Sequence, residues 1–407
     1  MGRAVSWKIG GIDMKKKAMS LGLCVAMAAT ALVGCGDNGS TASTESVETS
    51  GELTWRIGGI GPTTGSAAQY GQGVQNAIQI AVDEINEAGG INGYQISFNF
   101  QDDEADAQKS VNAYNTLKDW GMQILEGTVT SGACAAVSAE TYNDRIFQLT
   151  PSASSTSVTE GHDNTFQICF SDPNQGTVSA DYIADNALGT KIGIIYDSSD
   201  PYSSGVYQNF ATEAANVGLE IVATEAFTAD NKTDFSTQLQ KCKDAGADLL
   251  FLPFYYQEGS VVLTQANQMG YEPTMFGVDG FDGLLGVKDF DVSLAEGVYL
   301  LTPFAADAED EATQSFVSKY EEQFGGTPNQ FAADAYDGVY ILKEALEATN
   351  LTPEASNEEI CDALISSIQN VTYNGLTGEN MTWNAAGEVS KDPKAVIIQD
   401  GGYVSVQ

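Results

Sequence analysis

Histidine and positive charge are what this chain has least of. Its 407 residues include one histidine, His162, and 18 Lys and Arg against 55 Asp and Glu. A lone imidazole in the polar stretch 160–164 does not supply a Ser-His-Asp hydrolase, and no Gly-x-Ser-x-Gly elbow occurs. The shortage of cations excludes nucleic-acid binding, because an acidic field repels phosphate and no basic patch offsets it. Such acidity suits a solvated extracellular surface and says little about a ligand. Cysteine is scarce too. Its six copies form no Cys-x-x-Cys pair and no Cys/His cluster, so neither a metal site nor a cofactor is expected. The glycine-rich run 58–65 lacks the Gly-Lys-[Ser/Thr] ending of a phosphate loop. Asp102-Asp103-Glu104 lacks the spacing of a calcium loop and reads as a solvated helix cap.

Long apolar runs are equally rare. The leader stretch 18–34 is too short and too rich in small residues for a comfortable membrane span. It follows the basic Met14-Lys15-Lys16-Lys17 and closes on Leu32-Val33-Gly34-Cys35. That ending resembles a bacterial lipobox, which is cut before the cysteine, whose sulfur and new amino group are then acylated. Residues 1–34 therefore read as a signal peptide with Met14 as the expected start, and Cys35 as the lipidation site; an uncleaved anchor helix is the competing reading. Residues 36–51 are Gly, Ser, Thr, Asn and acids, with only Ala42 and Val47 apolar, so residues 35–52 form a flexible tether. The protein is expected outside the cytoplasm, held at the membrane by the lipid on Cys35. Five of the 18 basic and one of the 55 acidic residues precede Cys35, which leaves 13 against 54, a balance of −41.

What is abundant is alternation. Strands are expected at 53–60, 95–101, 123–126 and 147–150, with helices at 71–87, 105–120 and 134–143 between them. The pattern restarts after Asp172: helices 177–188, 205–217, 235–245 and 260–269 alternate with strands 191–196, 220–227, 248–253, 274–277 and 297–301. Each series predicts a parallel sheet covered by helices, and some 350 residues exceed one compact core. The fold class is therefore α/β, two doubly wound parallel-sheet lobes. Ligands of open α/β sheets bind beyond the C-terminal strand ends. The loops there, 61–70, 127–133, 151–155, 197–204, 254–258 and 278–282, are rich in hydroxyls, Tyr and Gly, with one well-placed acid, Asp279.

These loops also carry a resemblance that covers about residues 53–407 in order. It rests on Ile60-Gly61-Pro62-Thr63-Thr64-Gly65 with Ala68-Gln69-Tyr70-Gly71, and on Ile85-Asn86-Glu87-Ala88-Gly89-Gly90-Ile91-Asn92-Gly93. Gln101-Asp102-Asp103, Gly127-Thr128-Val129-Thr130-Ser131-Gly132, Leu149-Thr150-Pro151-Ser152-Ala153-Ser154 and Gly277-Val278-Asp279-Gly280-Phe281 complete it. The set resembles the extracellular solute-binding proteins of branched-chain amino-acid ABC transporters, the leucine/isoleucine/valine-binding type, in its lipoprotein form. The resemblance implies a type I periplasmic-binding-protein fold whose lobes are joined by a three-strand hinge. Its lobes would be 53–172 plus 302–390 and 173–301 plus 391–407. It also implies a monomer that captures a small amino acid and presents it to a permease driven by a cytoplasmic ATPase.

An α-amino acid needs NH or OH donors for its carboxylate and an acceptor for its ammonium. Ser131 and Ser154, just before predicted helices, suit the carboxylate. The resemblance agrees, and adds the backbone at Ser152 for the ammonium. Asp279 is the acceptor that would pair with the ammonium. Tyr70, Tyr202 and Tyr255 match the aromatic positions that line the cleft, although Phe254-Tyr255-Tyr256 leaves the register open by one. Each assignment has a plainer rival: the serines as helix caps, Asp279 as a turn residue, the tyrosines as packing. Two other classes stay open, a sensor of the same fold and an exported carboxylate-pair hydrolase. The ligand also stays open between branched-chain amino acids and amides or aromatic acids. So does the state of Cys134, Cys169, Cys242 and Cys361, where a Cys134–Cys169 disulfide competes with an all-free buried set.

Overall fold

The computed structural model describes residues 53–406. The signal peptide, Cys35 and the whole tether expected from the sequence lie outside the described residues.

The first sheet is built from β1 (Trp55–Gly61), β2 (Ile96–Asp102), β3 (Ile124–Gly127), β4 (Phe147–Thr150) and β5 (Thr165–Gln167), all parallel, in the order β2-β1-β3-β4-β5. Between them run α1 (Ala68–Glu87), α2 (Ala107–Trp120) and α3 (Ser131–Asp144). β3 and β4 are buried at every residue, as strands covered on both faces must be. The chain then crosses to a second sheet through α4 (Asp172–Asp185). There it lays down β6 (Lys191–Asp197), α5 (Pro201–Val217), β7 (Glu220–Phe227), α6 (Ser236–Asp244), β8 (Leu249–Leu252), α7 (Tyr256–Gln268), β9 (Thr274–Gly277) and β10 (Tyr299–Thr302). Helices α8 (Glu311–Phe324), α9 (Gln330–Glu347) and α10 (Asn357–Ile368) return to the first lobe, where α8 and α9 pack on α1, and α10 on β4. A last crossing brings β11 (Lys394–Gln399) and β12 (Gly402–Ser405) into the second sheet, ordered β12-β11-β10-β9-β8-β6-β7. Two doubly wound lobes result, joined by three crossings.

The second sheet is not parallel throughout. β11 runs antiparallel to β10, and β12 antiparallel to β11. The cause is local: Asp400 and Gly401 both take positive φ, 52° and 75°, which is the two-residue hairpin turn that Asp-Gly favours. Helix starts follow capping chemistry. α4 begins at Asp172, five residues before the expected 177, because Pro173 sits in its first turn, where a missing N–H costs nothing. α10 opens on a reciprocal Ser356/Glu359 capping box.

The acidic triplet differs from the expected solvated cap. Asp102 accepts from Thr63 N (2.9 Å) and Thr64 Oγ1 (2.6 Å) and so pins the loop that leads to α1. Asp103 is fully buried, accepts from Ser110 Oγ at 3.0 Å, and is pushed up to about 6 by burial. The residue that caps α2 is Asp106. Cys134, Cys169, Cys242 and Cys361 are free and buried, which settles that alternative against the disulfide.

Candidate functional site

The C-terminal ends of both sheets converge on one enclosed cavity. Its lining includes Tyr70, Ser131, Ser152, Ser154, Tyr202, Tyr255 and Asp279, together with Val129, Thr130, Gly280 and Phe331. The walls stand close together and leave a free volume of about 10 Å³ between them. All seven sequence-predicted residues therefore meet in one place.

The first lobe contributes two loops. After β3, Thr130 caps α3 by position but with no side-chain cap bond, and its buried Oγ1 has no partner among the described residues. Ser131 is the first residue of α3, so it stands where free backbone N–H groups and the positive helix end favour an anion. After β4, the hydroxyl of Thr150 organises the turn: it donates to Thr128 O at 2.6 Å and accepts from Ala153 N at 2.9 Å. The two loops are tied to each other by Ser155 N donating to Ser131 Oγ at 3.2 Å. Ser154 departs from expectation. It precedes a single 3₁₀ turn, Thr156–Val158, rather than a helix, so no macrodipole stands behind it. What lies there is the buried carboxyl of Asp172, which burial pushes up strongly.

Tyr70 enters from α1. Gly71 beside it allows the helix to press on the preceding loop, since a Cβ there would come within 2.1 Å of Pro62 O. The Tyr70 ring meets Phe331 of α9 edge-on at 4.7 Å and Tyr255 at 5.7 Å, and its hydroxyl donates to Gly280 O across the cleft.

The second lobe supplies phenols and the acid. Asp279 opens a 3₁₀ turn after β9 and is buried. Both its oxygens are engaged: Oδ1 by Tyr202 OH at 2.6 Å and Oδ2 by Gln175 Nε2 at 2.8 Å. Burial drives its pKa up to about 7 against the pull of those two donors. Tyr202 also accepts from Gly280 N at 3.0 Å, so it holds the whole turn. Its ring stacks on Tyr255 at 5.2 Å and 1° between planes. The register question is answered by where α7 starts. Tyr255 is its N-cap and lines the cavity, whereas Tyr256 accepts from Gln69 N at 3.2 Å outside the lining.

Sequence reasoning had not singled out Gln175, Phe331 or Thr130. Gln175 falls two residues before the helix expected at 177–188, and Phe331 lies on α9, which follows no strand. Thr130 stood inside a quoted motif, next to a serine that drew the attention.

The arrangement offers hydroxyls and N–H donors on one side, a held carboxylate on the other, and aromatic walls between. No Lys or Arg lines it, and among the described residues no His, Cys, Asp and Glu group is placed to hold a metal.

Known proteins show the same design. The model of the periplasmic binding protein family matches residues 54–402. The Leu/Ile/Val-binding protein BraC3 of Rhizobium johnstonii is 30% identical over 335 residues, 79% of this chain and 88% of that protein. The Leu/Ile/Val-binding protein homolog 3 of Brucella melitensis is 28% identical over 86% of this chain and 92% of its own length. Among solved structures, the branched-chain amino acid transporter substrate binding protein LivJ of Streptococcus pneumoniae, in complex with isoleucine, superposes with a TM-score of 0.78 at 29% identity, covering 87% of this chain and 99% of that one. A fold of two lobes around a closed crevice and a match across nearly the whole described chain lead to one statement: this chain belongs to the periplasmic binding protein family, as a substrate-binding protein and not an enzyme.

Proposed function

We propose that this protein captures a small aliphatic α-amino acid, branched-chain by preference, between its lobes and delivers it to an ABC permease. The observation that carries the reading is the polarity of the cavity, with hydroxyls and a helix N-terminus facing a doubly held Asp279. A zwitterion needs both ends matched at once, and aromatic walls suit an apolar side chain. The names of the relatives, which bind leucine, isoleucine and valine, point the same way.

In this reading the ligand carboxylate docks on Ser131 and Ser154, with Thr130 offering a further hydroxyl. The ammonium meets Asp279 and the backbone at Ser152, and Tyr70, Tyr202 and Tyr255 enclose the side chain. Closure follows because only the closed form engages both walls. Lipidation at Cys35 would keep the loaded monomer near its permease.

The test is calorimetric titration of the compact unit 52–407, refolded to remove carried-over ligand, with leucine, isoleucine, valine, amides and aromatic acids. Micromolar or tighter binding of a branched-chain amino acid, weakened at least 100-fold in Asp279→Ala, is expected. Binding confined to molecules without an α-ammonium would overturn the amino-acid reading and the role of Asp279.

A further inference from the structure

The first turn of α9 is capped from both lobes. Its own N-cap, Asn329, accepts from Ala332 N at 2.9 Å, which satisfies the third helical residue in the usual way. The N–H of the first residue, Gln330, donates instead to Asp282 Oδ2 at 2.7 Å. Asp282 belongs to the loop after β9 in the second lobe, while α9 packs on α1 in the first. A carboxylate from one lobe thus meets the positive end of an 18-residue helix on the other. Gln330 returns the contact, its Nε2 donating to Asp279 O at 3.3 Å.

Asp282 is 6% exposed, yet it does not line the ligand cavity. It faces a separate groove of about 680 Å³ at the side of the cleft, shared by both lobes, with Gln69, Asn329 and Tyr403 around it. Its neighbour Gly283 donates its N–H to Tyr403 OH at 3.2 Å, which steadies the loop from the second lobe alone. The lobe-to-lobe bond of Tyr70 OH to Gly280 O sits on the cavity wall and cannot be separated from ligand contact, and that of Gln69 N to Tyr256 OH, off the wall, carries no charge. Asp282 stands off the wall and carries a carboxylate.

We propose that Asp282 is a closure latch, a carboxylate of the second lobe that caps α9 of the first only when the lobes meet, and so slows release of a captured ligand without touching it. The proposal rests on the capture reading above. When the lobes part, water takes over the Gln330 N–H and the Asp282 carboxylate; when they close without an acceptor, that N–H is left buried and unpaired, which penalises closure. The latch acts after docking, so it changes release rather than encounter.

The experiment compares Asp282→Ala with Asp282→Asn, which keeps an acceptor oxygen. Leucine, isoleucine and valine binding is followed by stopped-flow fluorescence, and melting is recorded with and without ligand. In D282A, release is expected to quicken about tenfold or more, with association within about twofold of wild type. D282N should stay within about threefold. The ligand-free melting temperature should not move, because the latch is open there; a merely structural aspartate would lower it. Unchanged release in D282A, or a fall of the ligand-free melting temperature as large as that of the loaded form, overturns the latch. Small-angle scattering keeps the two ideas separate. If none of the three amino acids binds, the capture reading fails; the latch then stands if whichever amide or aromatic acid does bind contracts wild type and D282N more than D282A, and falls if all three contract equally or if nothing binds.

Discussion

The two walls of the cavity are built on opposite principles. The first lobe presents neutral hydroxyls on loops fastened by their own backbone: Thr150 Oγ1 bridges Thr128 and Ala153, and Ser131 takes the N–H of Ser155. The second lobe presents a charge, Asp279, fastened by side chains from two other elements, Tyr202 of α5 and Gln175 of α4. The first lobe has charge as well, but behind the wall. One turn of α9 beyond Phe331, Asp334 pairs with Lys391 at 2.5 Å, and Lys391 also donates to Thr377 Oγ1 at 2.7 Å. Lys391 is the one buried Lys or Arg among the described residues, and it stands on the last crossing between the lobes. A receiving wall can be neutral because helix and backbone dipoles suffice for an anion, whereas an ammonium needs a formal acceptor.

The largest effect should come from exposing the hidden charge of the first lobe. Lys391→Met leaves Asp334 buried without its cation, and we expect a loss of about 3–5 kcal/mol in denaturant unfolding of the ligand-free protein. Adding Asp334→Leu should recover most of it, because a well-packed apolar pair replaces a costly ionic one. Failure of the double variant to recover would mean that the pair positions the crossing rather than merely balancing charge.

On the opposite wall, Tyr202→Phe removes one of the two donors to Asp279 and the acceptor for Gly280 N. Affinity for a branched-chain amino acid should fall by roughly 10–100-fold, and unfolding should lose about 1–3 kcal/mol, since Tyr202 also packs in the core and its hydroxyl serves a buried N–H. Equal affinity in calorimetry would show that Gln175 alone can hold the acid. Thr150→Val is the matching cut in the first lobe. It preserves shape but deletes the hydroxyl that serves Thr128 and Ala153, so stability should drop by about 1–3 kcal/mol and affinity with it. A variant that loses only affinity would contradict the view that this wall is held by its own backbone.

How much of this was readable beforehand follows the same division. The first lobe's wall lies in continuous loop motifs directly after predicted strands, so Ser131, Ser152 and Ser154 could be picked from neighbours in the chain. The second wall is assembled from residues far apart: Gln175 bonds Asp279 across 104 positions. No local pattern marks such a partner, and a helix start misplaced by five residues put Gln175 in a loop. Phe331 was hidden for a related reason, because α9 reaches the cavity by packing on α1 and not by following a strand. The antiparallel edge was written in Asp400-Gly401, a turn signal that the alternation of strand and helix overshadowed.

The smallest effects separate the walls by pH, and their signs oppose each other. Asp279 is held up to about 7 by burial, against about 3.9 in an unfolded chain. Its ammonium partner prefers the ionised form, so amino-acid affinity should weaken as pH falls through about 7, by roughly tenfold between pH 8 and pH 6. Stability of the ligand-free protein runs the other way. Asp279 and two further buried acids, Asp103 and Asp337, are raised by burial, the last two to about 6. A carboxyl raised in the folded state favours folding while it is protonated. That contribution is complete below about pH 4 and is lost as pH rises through about 6 to 7. Melting temperatures of the ligand-free protein should therefore decline between pH 5 and pH 8, while ligand affinity rises over the same interval. Asp279→Asn should flatten the affinity profile and leave much of the stability slope in place, because the other two acids remain. If both profiles flatten together, one group governs both, and the charged wall alone sets the pH response of the protein.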